Sequence, residues 1–199
     1  MASPVTHAVV AISLATAWKY PRPAWSFLVL GVISAEIPDL DVIGFLFGVP
    51  YGHPFGHRGF THSLLFAGCL AGAVVGLGSS MDEWGTRRGS LWSFIFFATI
   101  SHGLCDALTD GGLGVAFFVP FDSSRYFFPF RPVVVSPLDW RDAFSAVGVK
   151  VLRSEVIWIW IPCIILAGSW VWLQRRLRRQ GRVKNFKRMV SEENGSETE

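Results

Sequence analysis

Five histidines and a small set of carboxylates are spaced in ways that suit a metal ion. His102 and Asp106 stand i, i+4 in Ser101-His102-Gly103-Leu104-Cys105-Asp106, which puts an imidazole and a carboxylate on one helical face. Asp39 and Asp41 bracket a leucine just after Pro38, a residue that prevents regular helix and leaves both carboxylates free to turn. Paired carboxylates with no cation between them repel each other where the dielectric is low. The run His57-Arg58-Gly59-Phe60-Thr61-His62-Ser63 supplies two more imidazoles across a bend that Gly59 permits, with Thr61 or Ser63 as N-cap of the helix that follows.

Such donors suit zinc, with manganese or iron as alternatives, and one or two ions; no thiolate is placed to force zinc. Their chemistry would be hydrolysis by metal-activated water, with Asp39 or Asp41 as ligand and possible general base. Arg58, Arg125 and Arg131 are candidates to grip a phosphate by their planar forks, the alternative being that they anchor loops at lipid headgroups. His7 begins the first apolar segment and is either a fifth-element ligand or a helix-start residue facing water. His53, in a Gly- and Pro-rich loop, reads as structural, Asp110 before Gly111 and Gly112 as a helix-ending turn residue, and Glu36 as a proton-linked or outer-shell group.

The elements that must position these groups are apolar. Of 199 residues, 51% are hydrophobic and 17% charged, against about 25% charged in a soluble domain. Mean hydropathy is +0.39. Segments long and uncharged enough to cross a bilayer run from Ser63 to Ser80, from Leu91 to Thr109 and from Val156 to Leu173. Two weaker ones, Val5 to Trp18 and Ala24 to Phe47, precede them, the second broken at Pro38. The expected fold is therefore all-α, a polytopic membrane bundle of about five helices spanning residues 1–180 as one domain. Gly68, Gly72 and Gly76 form a small-residue stripe for close helix packing. Residues 110–153, rich in Pro, Gly and aromatics, are expected as an interfacial cap loop, because amphipathic rings favour the headgroup zone. The polar tail, 181–199, is expected to be disordered. Cys69, Cys105 and Cys163 read as small core residues, since no CxxC pair or even-numbered framework is present.

Charge placement sets the expected partners and orientation. Eight of the eighteen basic residues lie between Arg175 and Arg188, directly after an apolar helix, which points to membrane lipids and away from nucleic acid. With that tail in the cytoplasm of a plasma (inner) membrane, counting back five helices puts Lys19, Arg22, Arg87 and Arg88 inside as well, and the N-terminus outside. The absence of Lys or Arg before Lys19 argues against a cleavable signal peptide. All five histidines, with Asp39, Asp41 and Asp106, then fall at helix ends on the extracytoplasmic side. Ionisable groups beside spans are costly and mark functional sites.

Pro38-Asp39-Leu40-Asp41, His57 to Ser63, and Ser101 to Thr109 with Gly112, preceded by His7, resemble the YdjM-like family of LexA-regulated, inner-membrane metal-dependent hydrolases. The resemblance runs from about His7 to Pro137. It implies a multi-helix membrane domain with a metal site to which His7, Asp39, His57, His62, His102 and Asp106 contribute, Asp41 being a further candidate. The order of His and Asp is also distantly similar to that of the zinc-dependent phospholipase C and P1 nuclease group.

The expected function is hydrolysis of a phosphoester in a lipid or lipid-linked substrate. The alternative is a non-catalytic metal-binding membrane protein, a transporter or sensor, which should carry polar residues through the bilayer; the stretches Ser63 to Ser80 and Val156 to Leu173 carry almost none. Amide or peptide cleavage ranks lower, because Glu36 lacks the H-E-x-x-H context of a metalloprotease helix.

Overall fold

The computed structural model describes residues 1–18, 25–78, 88–137 and 145–196, with side chains through Gln180. Helices α1 (Pro4–Ala17), α2 (Trp25–Glu36), α3 (Leu64–Leu77), α4 (Arg88–Ala107), α5 (Ala146–Glu155) and α6 (Ile161–Ser196) carry the fold. Between α2 and α3 lie an eleven-residue 3-10 helix, Ile37–Phe47, and a 3-10 turn, Phe60–His62. A π turn, Val156–Trp160, joins α5 to α6 without a break. Among the described residues the extended pairings are two isolated bridges, Thr109 with Val133 and Val115 with Tyr126, so the fold is all-helical as expected.

Local chemistry explains the helix starts. Ser3 caps α1, accepting from the Thr6 amide, with Pro4 as first helical residue. Ser63 caps α3 by accepting from the Phe66 amide, which resolves the choice between Thr61 and Ser63. The second apolar segment breaks as Pro38 dictates: α-helix ends at Glu36, and the tighter winding begins one residue before the proline.

Helices α1, α2, α3 and α4 pack around Phe27, Leu91, Phe94 and Ile95. Gly31 lets the Phe94 ring lie against the α2 backbone, where a methyl group would collide with it. Of the glycine stripe on α3, Gly68 faces Trp92 of α4, and no described side chain lies within 4 Å of where a Cβ on Gly72 would sit. Cys105 is buried and Cys163 half-buried, but Cys69 is exposed on the outer side of α3, against its expected place in the core.

One helix among the described residues, Ala146–Gln180, is long and apolar enough to cross a membrane. Five such spans are not what the structure displays. Helices α1 and α3 have 14 residues each, about 21 Å against a hydrocarbon core of about 30 Å. The last helix begins ten residues before the expected Val156, since Lys150, Arg153 and Glu155 disguise its first turns. Its far end, expected to be disordered from residue 181, continues as helix to Ser196, in keeping with the helix-favouring Arg, Lys and Met of the tail. The cap is non-helical over the described part of 110–137 and helical from Ala146; residues 138–144 lie outside the described set.

Candidate metal centre

Seven side chains expected at the site come from four elements and meet beneath the cap. His7 is in the first turns of α1, Asp39 and Asp41 in the 3-10 helix, His57 and His62 in the loop before α3, and His102 and Asp106 in the last turns of α4. Asp39, His62, His102 and Asp106 each offer one donor atom within 4.8 Å of the others, and so do Asp41, His57 and His62. Asp39 Oδ1 is 3.2 Å from His102 Nε2 and 3.7 Å from His62 Nε2, while Asp106 Oδ2 is 3.8 Å from His62 Nε2. His7 stacks on His102 and places Nε2 3.8 Å from Asp106 Oδ1. His53 is exposed and outside the cluster, its Nδ1 accepting from the Phe55 amide in its own loop, as a structural residue should.

The rings are oriented from behind. His102 Nδ1 lies 2.7 Å from the Ala35 carbonyl, which can only accept, so Nδ1 carries the proton and Nε2 presents its lone pair inward. Asp41 holds two rings: Oδ1 is 2.7 Å from His57 Nδ1, and Oδ2 is 3.2 Å from His62 Nδ1. Oδ2 also accepts from the Thr61 hydroxyl at 2.7 Å and from the Arg58 amide at 3.1 Å. Both Asp41 oxygens are thus engaged, whereas neither Asp39 oxygen has a hydrogen-bond partner. Burial disfavours charge on His62, but the carboxylates of Asp39 and Asp41 outweigh it and lift the ring to about 9.

Arg58 departs from its expected role. Its guanidinium is fully buried and committed inside the protein: Nε donates to Asp106 Oδ2 at 2.9 Å, Nη1 to the Gly111 carbonyl at 2.9 Å and Nη2 to the Thr109 hydroxyl at 3.0 Å. No face of the fork remains for a phosphate, so Arg58 is a holder of Asp106. Its backbone sits at φ +60°, a left-handed conformation that turns the side chain inward and costs a non-glycine residue about 1–3 kcal/mol. Gly59 completes the bend, since a Cβ there would meet the Pro54 and Gly56 carbonyl oxygens. Arg125 is likewise occupied, bridging the carbonyls of Tyr51, His53, His57 and Gly114 and tying the cap to the histidine loop. Arg131 lies over the Phe127 ring.

Sequence reasoning missed the clasp at the N-terminal segment. The Ala2 amide donates to Asp106 Oδ1 at 2.6 Å, and Ser3 is held through its amide and hydroxyl, at 2.5 and 2.6 Å, by the fully buried carboxylate of Glu155. A serine and a glutamate 152 residues apart leave no local signal; the one available hint was a carboxylate at the start of an apolar helix. Asp110 accepts from the Val135 amide and belongs to the cap.

All of the partnerless buried side-chain N and O atoms found among the described residues lie on this cluster: both nitrogens of His7, both oxygens of Asp39, and Nε2 of His57, His62 and His102. Buried polar groups are nearly always satisfied, and orphans on Asp39, His62 and His102, which share one donor group with Asp106, are what a bound cation would complete. His and carboxylate donors without a thiolate fit a divalent ion.

A family description, YdjM inner membrane protein, matches residues 1–177. The chain is 38% identical over 178 residues to the inner membrane protein YbcI of Escherichia coli (strain K12), covering 88% of this chain and 100% of that one. No solved structure matches it. The match extends the resemblance beyond Pro137 to take in the long apolar helix that contributes Glu155, and the chain belongs to the YdjM family of inner membrane proteins.

Proposed function

We propose that this protein is a membrane-bound, metal-dependent hydrolase that cleaves a phosphoester of a lipid or lipid-linked substrate with metal-activated water. The observation carrying the reading is the convergence of unpaired buried nitrogens and carboxylate oxygens on His7, Asp39, His57, His62 and His102. Asp39, His62, His102 and Asp106 would hold one ion, and His57 with His62 and Asp41 lie where a second could be held; zinc suits the donors, manganese or iron being alternatives. When bound, such an ion supplies Lewis acidity to water and ester oxygens.

The chain's own groups have separable tasks. Asp41 fixes Nδ1 of His57 and of His62, which leaves His62 Nε2 facing Asp39 and Asp106 and His57 Nε2 free of a partner. Arg58 holds Asp106 in place through Oδ2. Asp39 is the accessible member, 11% exposed where the other donors are at most 3%, and it borders a cavity of about 360 Å³. That places it to accept a proton from an attacking water. The cluster occupies one end of the helices and is not continued by polar side chains along α3, whose buried residues are Ala67 and Ala71, which favours a hydrolase over a transporter or sensor. In this reading Ala146–Gln180 crosses the inner membrane with the basic tail cytoplasmic, the shorter helices are embedded beside it, and the site faces the extracytoplasmic side beneath the aromatic cap.

Elemental analysis of the detergent-purified chain, beside a His102→Ala, Asp106→Ala double variant, tests the proposal, followed by a phosphate-release assay on lipid phosphoesters. Bound transition metal in the wild type alone, with release that a chelator abolishes, supports it. Absence of metal from both overturns it.

A further inference from the structure

The cavity beside Asp39 has a graded wall that the 3-10 geometry produces. Side chains at i and i+3 eclipse in a 3-10 helix, so residues three apart form straight rows. Asp39, Val42 and Phe45 form one such row, which Glu36 at the end of α2 extends, and all four line the cavity. From Asp39 to Phe45 the row runs about 12 Å, at about 2.0 Å per residue. It therefore runs from the carboxylates of Glu36 and Asp39 to the apolar side chains of Val42 and Phe45. Pro4 of α1 forms part of the other wall, and Phe45 is backed by the rings of Tyr51 and His57, each at 6.2 Å. No lysine or arginine is among the described residues lining it.

The neighbouring row is Leu40, Ile43 and Leu46, and these are 60%, 49% and 84% exposed. Leu40 also lines the cavity, so the outward row is continuous with its mouth. In a chain with a membrane-crossing helix from the inner-membrane family, an exposed aliphatic row of this kind faces lipid. We propose that the cavity is a binding site for an acyl chain of a membrane lipid, which enters past Leu40, lies along Val42 and Phe45, and brings its polar head to Asp39. The head's placement rests on the hydrolase reading; the chain's does not. The apolar side chains Leu40, Val42 and Phe45 select by the tail, and with no lysine or arginine in the lining the charge of a phosphate head is left mainly to be met by metal.

The test is photolabelling of the full chain in phosphatidylethanolamine and phosphatidylglycerol vesicles doped with a phosphatidylglycerol that carries a diazirine within its acyl chain, with adducts mapped by mass spectrometry. Adducts on Val42 and Phe45 are expected, in addition to those on outward residues of the crossing helix such as Ile164 and Ile165, which are both 60% exposed. Phe45→Asp should lower the Val42 adduct about tenfold, roughly what apolar contact with one partly exposed aromatic side chain contributes, and leave Ile164 and Ile165 labelled. If Phe45→Asp loses labelling everywhere because it fails to fold, Val42→Trp, which fills the cavity with apolar bulk, decides instead through the Phe45 adduct. Adducts on Leu40, Ile43, Leu46 and the crossing helix with none on Val42 would mean boundary lipid only and overturn the proposal, whatever Phe45 shows, because Phe45 is itself 37% exposed. Metal content measured on the same sample separates the two readings. Labelling of Val42 without metal sustains the acyl site and defeats the hydrolase, while metal without labelling does the reverse.

Discussion

His7 lies flat on His102, their ring centroids 3.6 Å apart and their planes 15° from parallel. The stack joins the first turns of α1 to the last turns of α4, and the two rings differ in what holds them. His102 is fixed by the Ala35 carbonyl, whereas neither nitrogen of His7 has a partner. Stacking alone could be supplied by any flat ring; of the two buried, unpaired nitrogens, Nε2, 3.8 Å from Asp106 Oδ1, is the one a ligand role would satisfy.

His7→Phe should therefore keep the stack and the melting temperature while weakening zinc binding about tenfold, the loss of one of several ligands. His102→Phe should abolish binding. Chelator-competition titrations of the purified variants measure both. Unchanged affinity in His7→Phe would leave His7 a packing residue, with its nitrogens unexplained.

Arg58 and Asp106 form a pair that is fully buried on both sides. Breaking such a pair from one side leaves an uncompensated charge, at about 3–5 kcal/mol. Arg58→Met should be destabilised by that order in denaturation, and Arg58→Lys should recover part of it, because one ammonium cannot serve Asp106, Thr109 and Gly111 together. A Met variant as stable as wild type would show that the pair contributes no net stability.

The donors of this site were legible because their signals are local: an i, i+4 spacing, a proline before two aspartates, two histidines about a glycine. What those motifs could not tell was which side chains point at the centre and which stand behind it. Asp41 and Arg58 lie in the same motifs as Asp39 and His57, yet Asp41 is engaged by four donors and Arg58 turns inward at a left-handed φ. Of the fold, apolar stretches gave the helices, but their lengths depended on tertiary facts. The start of α5 at Ala146 was hidden because Lys150, Arg153 and Glu155 read as a polar boundary, whereas Glu155 is buried against a partner in Ser3 that no sequence window contains. The three-residue rows of Ile37–Phe47 were hidden for a different reason: a proline announces that an α-helix stops, and says nothing of the winding that replaces it.

Asp41→Asn distinguishes a ligand from a residue that orients ligands. The amide keeps the shape but has one acceptor oxygen, so it cannot receive both the His57 ring and the donors on Oδ2. Loss of an orienting carboxylate typically lowers metal affinity about 10–100-fold without abolishing it. That range is the expected outcome in a zinc titration. Complete loss of the ion, with the fold retained by circular dichroism, would make Asp41 a ligand itself.

Glu155 tests whether the crossing helix acts on the site. Its carboxylate accepts from the amide and the hydroxyl of Ser3, the adjoining Ala2 amide donates to Asp106, and a second tie runs from the Trp160 indole to the Thr6 hydroxyl at 2.7 Å. Glu155→Ala removes both acceptors, leaves the half-buried Ser3 amide unpaired at up to about 1–3 kcal/mol, and frees the segment that fixes Asp106 from the side opposite Arg58. Glu155→Gln retains one acceptor and should be milder. If the clasp positions Asp106, the Ala variant loses about tenfold in zinc affinity as well as stability, and Gln restores most of both. If it only fastens α1 to the helix, the melting temperature falls while the affinity of the remaining folded protein does not move. The order of the three proteins in affinity, measured below the melting point of the weakest, decides between these outcomes.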